Sequence, residues 1–172
     1  MTNIKRLAEI TGAKLSGDET QIVTDVSHDS RRVGKGALFA AVSGALFDAH
    51  KFVPTVMEQG AAGVLSERPA PEGFNGAWLQ VGDIRRAMAL AAAEVQQHPS
   101  RELQLVGITG TNGKTTTAYL VASIPEEAGE LVAMTGTVEY RLGKERFKAD
   151  RTTPEAPDMQ RLLRRAVEIG CR

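Results

Sequence analysis

Cysteine is nearly missing: Cys171 is the only one in 172 residues. That excludes an internal disulfide and any cysteine-built metal cluster, and it fits a reducing cytoplasm. Aromatic residues make up only 5% of the chain and are scattered, so no stacking platform for single-stranded nucleic acid is built. Neither sign of charge prevails, with 21 Lys+Arg against 21 Asp+Glu. Without a global field to recruit nucleic acid or membrane, any basic groove must be local. No apolar run approaches membrane-spanning length, and Met1-Thr2-Asn3-Ile4-Lys5-Arg6 lacks the basic-then-apolar pattern of a signal peptide. His28, His50 and His98 stand too far apart in sequence to suggest a metal site. The expectation is a cytoplasmic, monomeric protein with no nucleic-acid partner and no membrane insertion.

What is present is an alternation of strands and helices in a chain long enough for one or two domains. Thr2 or Asn3 can cap a short helix that Gly12 closes. Ala13–Ser16 and Gln21–Val26 read as short strands, Gly36–Val42 as a buried strand, and His50–Gln59 as a helix stopped by Gly60. Ala62–Ser66 and Trp78–Val81 read as further strands. Asp83 caps a helix running to about Gln97 with Ile84, Met88, Ala91 and Val95 on one side. His98-Pro99-Ser100 marks a boundary, dividing the chain into domains 1–99 and 100–172.

The second region opens with Leu103-Gln104-Leu105-Val106-Gly107-Ile108, an apolar stretch that reads as a buried strand. It runs straight into Thr109-Gly110-Thr111-Asn112-Gly113-Lys114-Thr115-Thr116-Thr117. A strand that breaks into a glycine-bearing loop ending in Gly-Lys-Thr, then starts a helix, is a recipe for holding a nucleotide triphosphate. Gly110 and Gly113 let the backbone approach phosphates, and the loop and helix-start amides point at the oxygens. Lys114 can reach the β- and γ-phosphates, and the Thr115 hydroxyl can ligate Mg²⁺. The early glycine of the common P-loop pattern is replaced by Ile108.

After the loop, a helix is expected from Lys114 to Ile124, kinked or ended at Pro125. Leu131–Met134 reads as a second strand for a parallel sheet. Thr137–Leu142 and Glu145–Asp150 read as a hairpin around Gly143-Lys144. Pro154 suits the first turn of a helix over Glu155–Ile169, with Met159, Leu162, Leu163, Ala166 and Val167 inside and Thr152 or Thr153 as its cap. Two parallel strands and a hairpin fall short of the five or six strands of a doubly wound nucleotide domain. This region therefore reads as the first part of a larger one.

The loop Gly110–Thr116 resembles the ATP loop of the Mur ligases, which also lacks the early glycine. Asp29-Ser30-Arg31-Arg32, Gly36–Gly44 and Asp48 resemble their N-terminal domain, closest to the type that adds the third amino acid of the peptidoglycan stem (the MurE type). Arg151-Thr152-Thr153-Pro154-Glu155 resembles that type's Asn-Thr-Thr-Pro-Glu segment, with Arg151 in place of the asparagine. The resemblance implies an N-terminal Rossmann-like α/β domain followed by an incomplete P-loop-type central domain. It further implies an ATP-dependent amide ligase that adds an amino acid to UDP-N-acetylmuramoyl-L-alanyl-D-glutamate, through an acyl phosphate that an amine captures.

By carry-over, Gly110, Thr111, Asn112, Gly113, Lys114, Thr115 and Thr116 bind ATP, with Lys114 the catalytic clamp and Thr115 on Mg²⁺. Ser30 binds the UDP part with His28 beside it, Ala45, Leu46 and Phe47 line the uridine pocket, and Thr152 and Thr153 contact the muramoyl-dipeptide. The family's other metal ligands and its amino-acid-binding domain have no counterpart here, so the chain alone is expected not to turn over. A folylpolyglutamate synthetase shares the loop style but has no matching nucleotide-sugar domain ahead of it. A non-catalytic nucleotide-sugar binding module is the alternative from another class. A generic P-loop NTPase would need an apolar run ending in aspartate, which is not evident.

Overall fold

The computed structural model describes residues 2–44, 48–149 and 153–171, and its internal contacts divide it into two units, Met1–Gln96 and Gln97–Arg172. In the first unit, β1 (Thr2–Asn3) leads into α1 (Ile4–Thr11). Asn3 caps that helix, its Oδ1 accepting from the Arg6 N–H at 2.9 Å, and so satisfies one of the donors a helix start leaves open. Next come β2 (Lys14–Ser16), β3 (Ile22–Val23), β4 (Asp25–Ser27) and β5 (Ala37–Ala40). The single strand expected over Gln21–Val26 is thus two. Thr24 separates them, its N–H turned to the Gly36 carbonyl at 2.9 Å. A 3-10 turn, Ala49–Phe52, runs into α2 (Val53–Glu58). After it lie β6 (Gly63–Ser66), β7 (Ala77–Gln80) and α3 (Ile84–Val95).

The main sheet has the order β2-β7-β6-β5-β4, with β4 to β7 parallel and β2 antiparallel at one edge. The central strands β5 to β7 are mostly apolar and buried because helices cover both faces. Side chains alternate across the sheet. Leu38, Ala40, Leu65 and Leu79 pack with Ile4 and Leu7 of α1 and with Ile84, Met88 and Ala91 of α3. Phe39, Val64 and Trp78 pack on the opposite side with Val53 and Val56 of α2. This is the α/β layering expected of the N-terminal region.

The second unit contains α4 (Lys114–Glu127), β8 (Ala133–Thr135), β9 (Glu139–Leu142), β10 (Glu145–Lys148) and α5 (Ala156–Glu168). Its sheet is antiparallel, in the order β10-β9-β8. Leu142, Ala166 and Cys171 form its small apolar core, with Leu162 and Ile169 against them. No helix among the described residues is long and apolar enough to cross a membrane.

Four expectations fail here. Leu103–Ile108 forms no strand, and Leu105 and Val106 are 57% and 68% exposed. An apolar run becomes a buried strand only with neighbours on both sides, and among the described residues none pairs with it. Ala133–Thr135 pairs with the hairpin and not with the nucleotide-loop segment, so the described residues of this unit hold no parallel pair. Pro125 does not end α4, which continues to Glu127. Proline so near a helix end removes one bond from the ladder and leaves little helix beyond it to disturb. Finally, α5 starts at Ala156 with Glu155 as N-cap and Pro157, not Pro154, in its first turn. Thr153 therefore precedes the cap, and Thr152 lies outside the described residues.

Candidate functional site

Residues Thr109–Gly113 bend ahead of α4 and are exposed. Gly110 (φ 152°) and Gly113 (φ 76°) adopt backbone conformations that L side chains rarely reach. A Cβ built on Gly113 would meet nothing within 4 Å, so the turn faces open space. The start of α4 differs from the starts of α1 and α3. Asn3 and Asp83 cap those helices through side-chain oxygens, whereas α4 begins on Gly113 with no side-chain cap. Its leading amides and the positive end of its dipole are left for an anion.

Lys114 Nζ donates to the Gly110 carbonyl at 2.6 Å and to Thr111 O at 3.4 Å, which folds the ammonium over the turn. Thr115 Oγ1 lies 3.4 Å from Thr137 Oγ1. Gly110, Thr111, Asn112, Gly113, Lys114, Thr115 and Thr116 are thus gathered in one exposed turn and the first turn of its helix. Backbone amides, a point-like ammonium and neutral hydroxyls are the donor set that a polyphosphate and its Mg²⁺ require, so the residues present fit MgATP.

In the first unit, β4 and β5 are adjacent parallel strands ending at Ser27 and Ala40. Ligands of open α/β sheets bind beyond such carboxyl ends. His28 and Ser30 follow β4 directly. The His28 Nδ1 atom is buried and has no hydrogen-bond partner among the described residues, a polar group open to water or a ligand. Ser30 opens a 3-10 turn, Ser30–Arg32, that Asp29 caps by accepting from the Arg31 N–H at 3.0 Å. Arg31 also forks onto Asp29 through Nε at 2.9 Å and Nη2 at 2.7 Å. Those side-chain hydrogen bonds hold the Asp29 carboxyl at about 2 against an ordinary 3.8. Asp29 and Arg31 are therefore a structural pair. Ala45, Leu46 and Phe47 lie outside the described residues. Thr153, exposed in a bend before α5, belongs to the second unit.

One polar cluster of the first unit was not anticipated from sequence. Asp48 Oδ1 is 2.7 Å from His50 Nδ1, and Arg68 Nη1 donates to Asp48 Oδ2 at 2.8 Å. His50 Nε2 is 2.7 Å from Ser66 Oγ, which also accepts from the Arg68 N–H at 2.9 Å. With Nδ1–H turned to the carboxylate, Nε2 is the acceptor for the Ser66 hydroxyl. The sequence of groups, carboxylate to imidazole to hydroxyl, is that of a hydrolytic triad, but Ser66 is 0% exposed. The cluster instead fixes Asp48, whose backbone pairs with Ser43 in an isolated antiparallel bridge. The only sequence signal was the two-residue spacing of Asp48 and His50, which also suits an Asx-type cap.

Residues 22–97 match the Mur ligase family catalytic domain, and residues 108–172 match the Mur ligase middle domain. The UDP-N-acetylmuramoyl-L-alanyl-D-glutamate–2,6-diaminopimelate ligase of Geobacter metallireducens is 45% identical over 144 residues, covering 83% of this chain and 28% of the relative. A UDP-N-acetylmuramyl-tripeptide synthetase of Roseiflexus sp. is 41% identical over 152 residues, 87% of this chain and 30% of the relative. The chain thus spans about 30% of the length of the curated relatives it matches. Among solved structures, a UDP-N-acetylmuramoyl-L-alanyl-D-glutamate–2,6-diaminopimelate ligase shares the fold with TM-score 0.75 at 24% identity, over 96% of this chain and 34% of that one. A UDP-N-acetylmuramoylalanyl-D-glutamyl-2,6-diaminopimelate–D-alanyl-D-alanyl ligase from Acinetobacter baumannii does so with TM-score 0.63 at 24% identity, over 95% and 34%. With both domain matches in order along the chain and this fold beneath them, the chain belongs to the Mur ligase family.

Proposed function

We propose that this chain supplies the nucleotide-sugar and ATP sites of a cytoplasmic, monomeric ligase that adds an amino acid to UDP-N-acetylmuramoyl-L-alanyl-D-glutamate during peptidoglycan synthesis. The names of the relatives point to 2,6-diaminopimelate as that amino acid. The observation that carries the reading is the uncapped start of α4, with the Lys114 ammonium folded over it. Loop amides from Gly110 to Thr116 would hold the phosphate oxygens, Lys114 the β/γ end, and the Thr115 hydroxyl the Mg²⁺. ATP supplies the phosphoryl group that activates the substrate carboxylate. Phosphoryl transfer depends chiefly on positioning and charge neutralisation, which is the chemistry these donors offer.

His28 and Ser30, beyond β4, would take the UDP portion with Ala45–Phe47, and Thr152 and Thr153 the muramoyl-dipeptide. By itself the 172-residue chain would bind without turning over. Calorimetric titration of the chain with MgATP, and separately with UDP-N-acetylmuramoyl-dipeptide, tests this. Binding of both supports the ligase reading, and binding of the nucleotide-sugar alone supports a non-catalytic binding module. Product formed by the chain from ATP, dipeptide substrate and diaminopimelate would refute the expectation of no turnover.

A further inference from the structure

We infer that Thr137 is a positioning residue that aims the Thr115 hydroxyl at the metal end of the ATP site. This rests on the ATP reading above. Glu139 and Arg141 stand two apart and so share one face of β9, and Thr137 lies in the bend two residues ahead of that strand. Thr115, Tyr119 and Glu126 stand near helical spacing along α4. The two rows meet pairwise. Thr115 Oγ1 lies 3.4 Å from Thr137 Oγ1, Tyr119 Oη donates to Glu139 Oε1 at 2.8 Å, and Arg141 Nη2 lies 2.6 Å from Glu126 Oε1. The last is an ion pair by distance whose angles fall outside hydrogen-bond geometry.

Further contacts lock this register. Arg146 Nη1 donates to Glu139 Oε1 at 3.0 Å, and the Arg141 guanidinium sits 6.0 Å from the centre of the Tyr119 ring. Arg141 is only 7% exposed, so sliding the strand by one residue would strand a buried charge. Thr137, two residues ahead of β9, is therefore held beside Thr115 by bonds farther along α4 and that strand.

The chemical consequence concerns one proton. A threonine hydroxyl that gives a lone pair to Mg²⁺ must point its hydrogen elsewhere, and the cation makes that hydrogen a better donor. Thr137 Oγ1 is the acceptor at hand. It fixes the rotamer in which the free lone pair of Thr115 faces the cation, as partners behind a ligand commonly do.

Thr137→Val keeps the shape and removes the acceptor, whereas Thr137→Ser keeps the hydroxyl. ATP binding by the whole chain is measured calorimetrically at a series of Mg²⁺ concentrations and in EDTA, alongside the thermal midpoint. Thr137→Val is expected to raise the Mg²⁺ concentration for half-maximal tightening about tenfold, to leave binding in EDTA unchanged, and to be rescued by Thr137→Ser. A wild-type Mg²⁺ dependence in Thr137→Val, or an equal loss in Thr137→Ser, overturns the inference while the ATP reading stands. If the wild-type chain binds no ATP, the ATP reading falls and this inference with it.

Discussion

The carbonyl oxygen of Gly110 receives the Lys114 ammonium at 2.6 Å, four residues back along the chain. A positive group is thereby parked over the uncapped start of a helix, where two like fields repel unless an anion lies between them. Lys114→Ala is expected to weaken MgATP binding by about tenfold to a hundredfold, the worth of a hydrogen bond to a charged group. The thermal midpoint should not move, because the side chain supports no core. Lys114→Arg is a poor substitute, since a planar fork cannot sit where a point charge does. Calorimetry of the three proteins decides the matter, and wild-type affinity in Lys114→Ala would remove the lysine from the site.

Acid should act on the first unit through Asp29. Its carboxyl titrates near 2 in the folded chain, against 3.8 ordinarily, mainly because of the Arg31 side chain. A depressed carboxyl contributes stability above its unfolded value and loses that contribution as pH falls through its folded value. Stability should therefore decline between about pH 4 and pH 2. The Asp29→Asn variant should show a shallower decline across that window. Thermal unfolding at half-unit pH steps tests it, and identical slopes would show that other carboxyls set the acid limit.

Trp78 is 1% exposed, donates Nε1–H to the Arg68 carbonyl at 2.9 Å, and meets Phe74 edge-on with ring centres 5.1 Å apart. Truncation to alanine should cost about 3–5 kcal/mol. Trp78→Phe should cost less but should leave the Arg68 carbonyl unpaired. Urea unfolding followed by circular dichroism measures both. Equal losses in the two variants would mean the hydrogen bond carries most of the effect.

Leu105 and Val106 make the opposite case. As both are mainly exposed, Leu105→Ser and Val106→Ser should change stability by no more than about 0.5 kcal/mol. Leu38→Ala, at 0% exposure, should cost about 2–5 kcal/mol. A loss in Leu105→Ser as large as that in Leu38→Ala would show that this segment is packed in solution.

These contrasts explain what the sequence made legible. Ala37–Ala40 and Gly63–Ser66 could be read as strands because burial on both faces leaves an unbroken apolar run. The caps at Asn3 and Asp83 and the glycine-lysine turn were readable because their chemistry is local. Leu105 and Val106 carry the same apolar signal as a central strand, but whether they are buried depends on what pairs with them, which no local pattern encodes. The His50 cluster was hidden for a related reason: Ser66 and Arg68 reach Asp48 only once β6 lies beside β5. At the last helix, Pro154 pointed to a first turn that Pro157 occupies instead, because the fixed φ of proline suits a first turn without setting which proline starts it.

Cys171 is 4% exposed against Leu142 and Ala166, and burial raises its thiol pKa. A thiol-specific reagent can reach this sulfur only when the packing around it opens, through fraying of the chain end or movement of α5, so its labelling rate is a clock for opening of this small core. Trp78, the single indole, lies in the first unit. The unengineered chain thus carries one chemical and one optical reporter, and the cohesion of each half can be followed independently in the same tube.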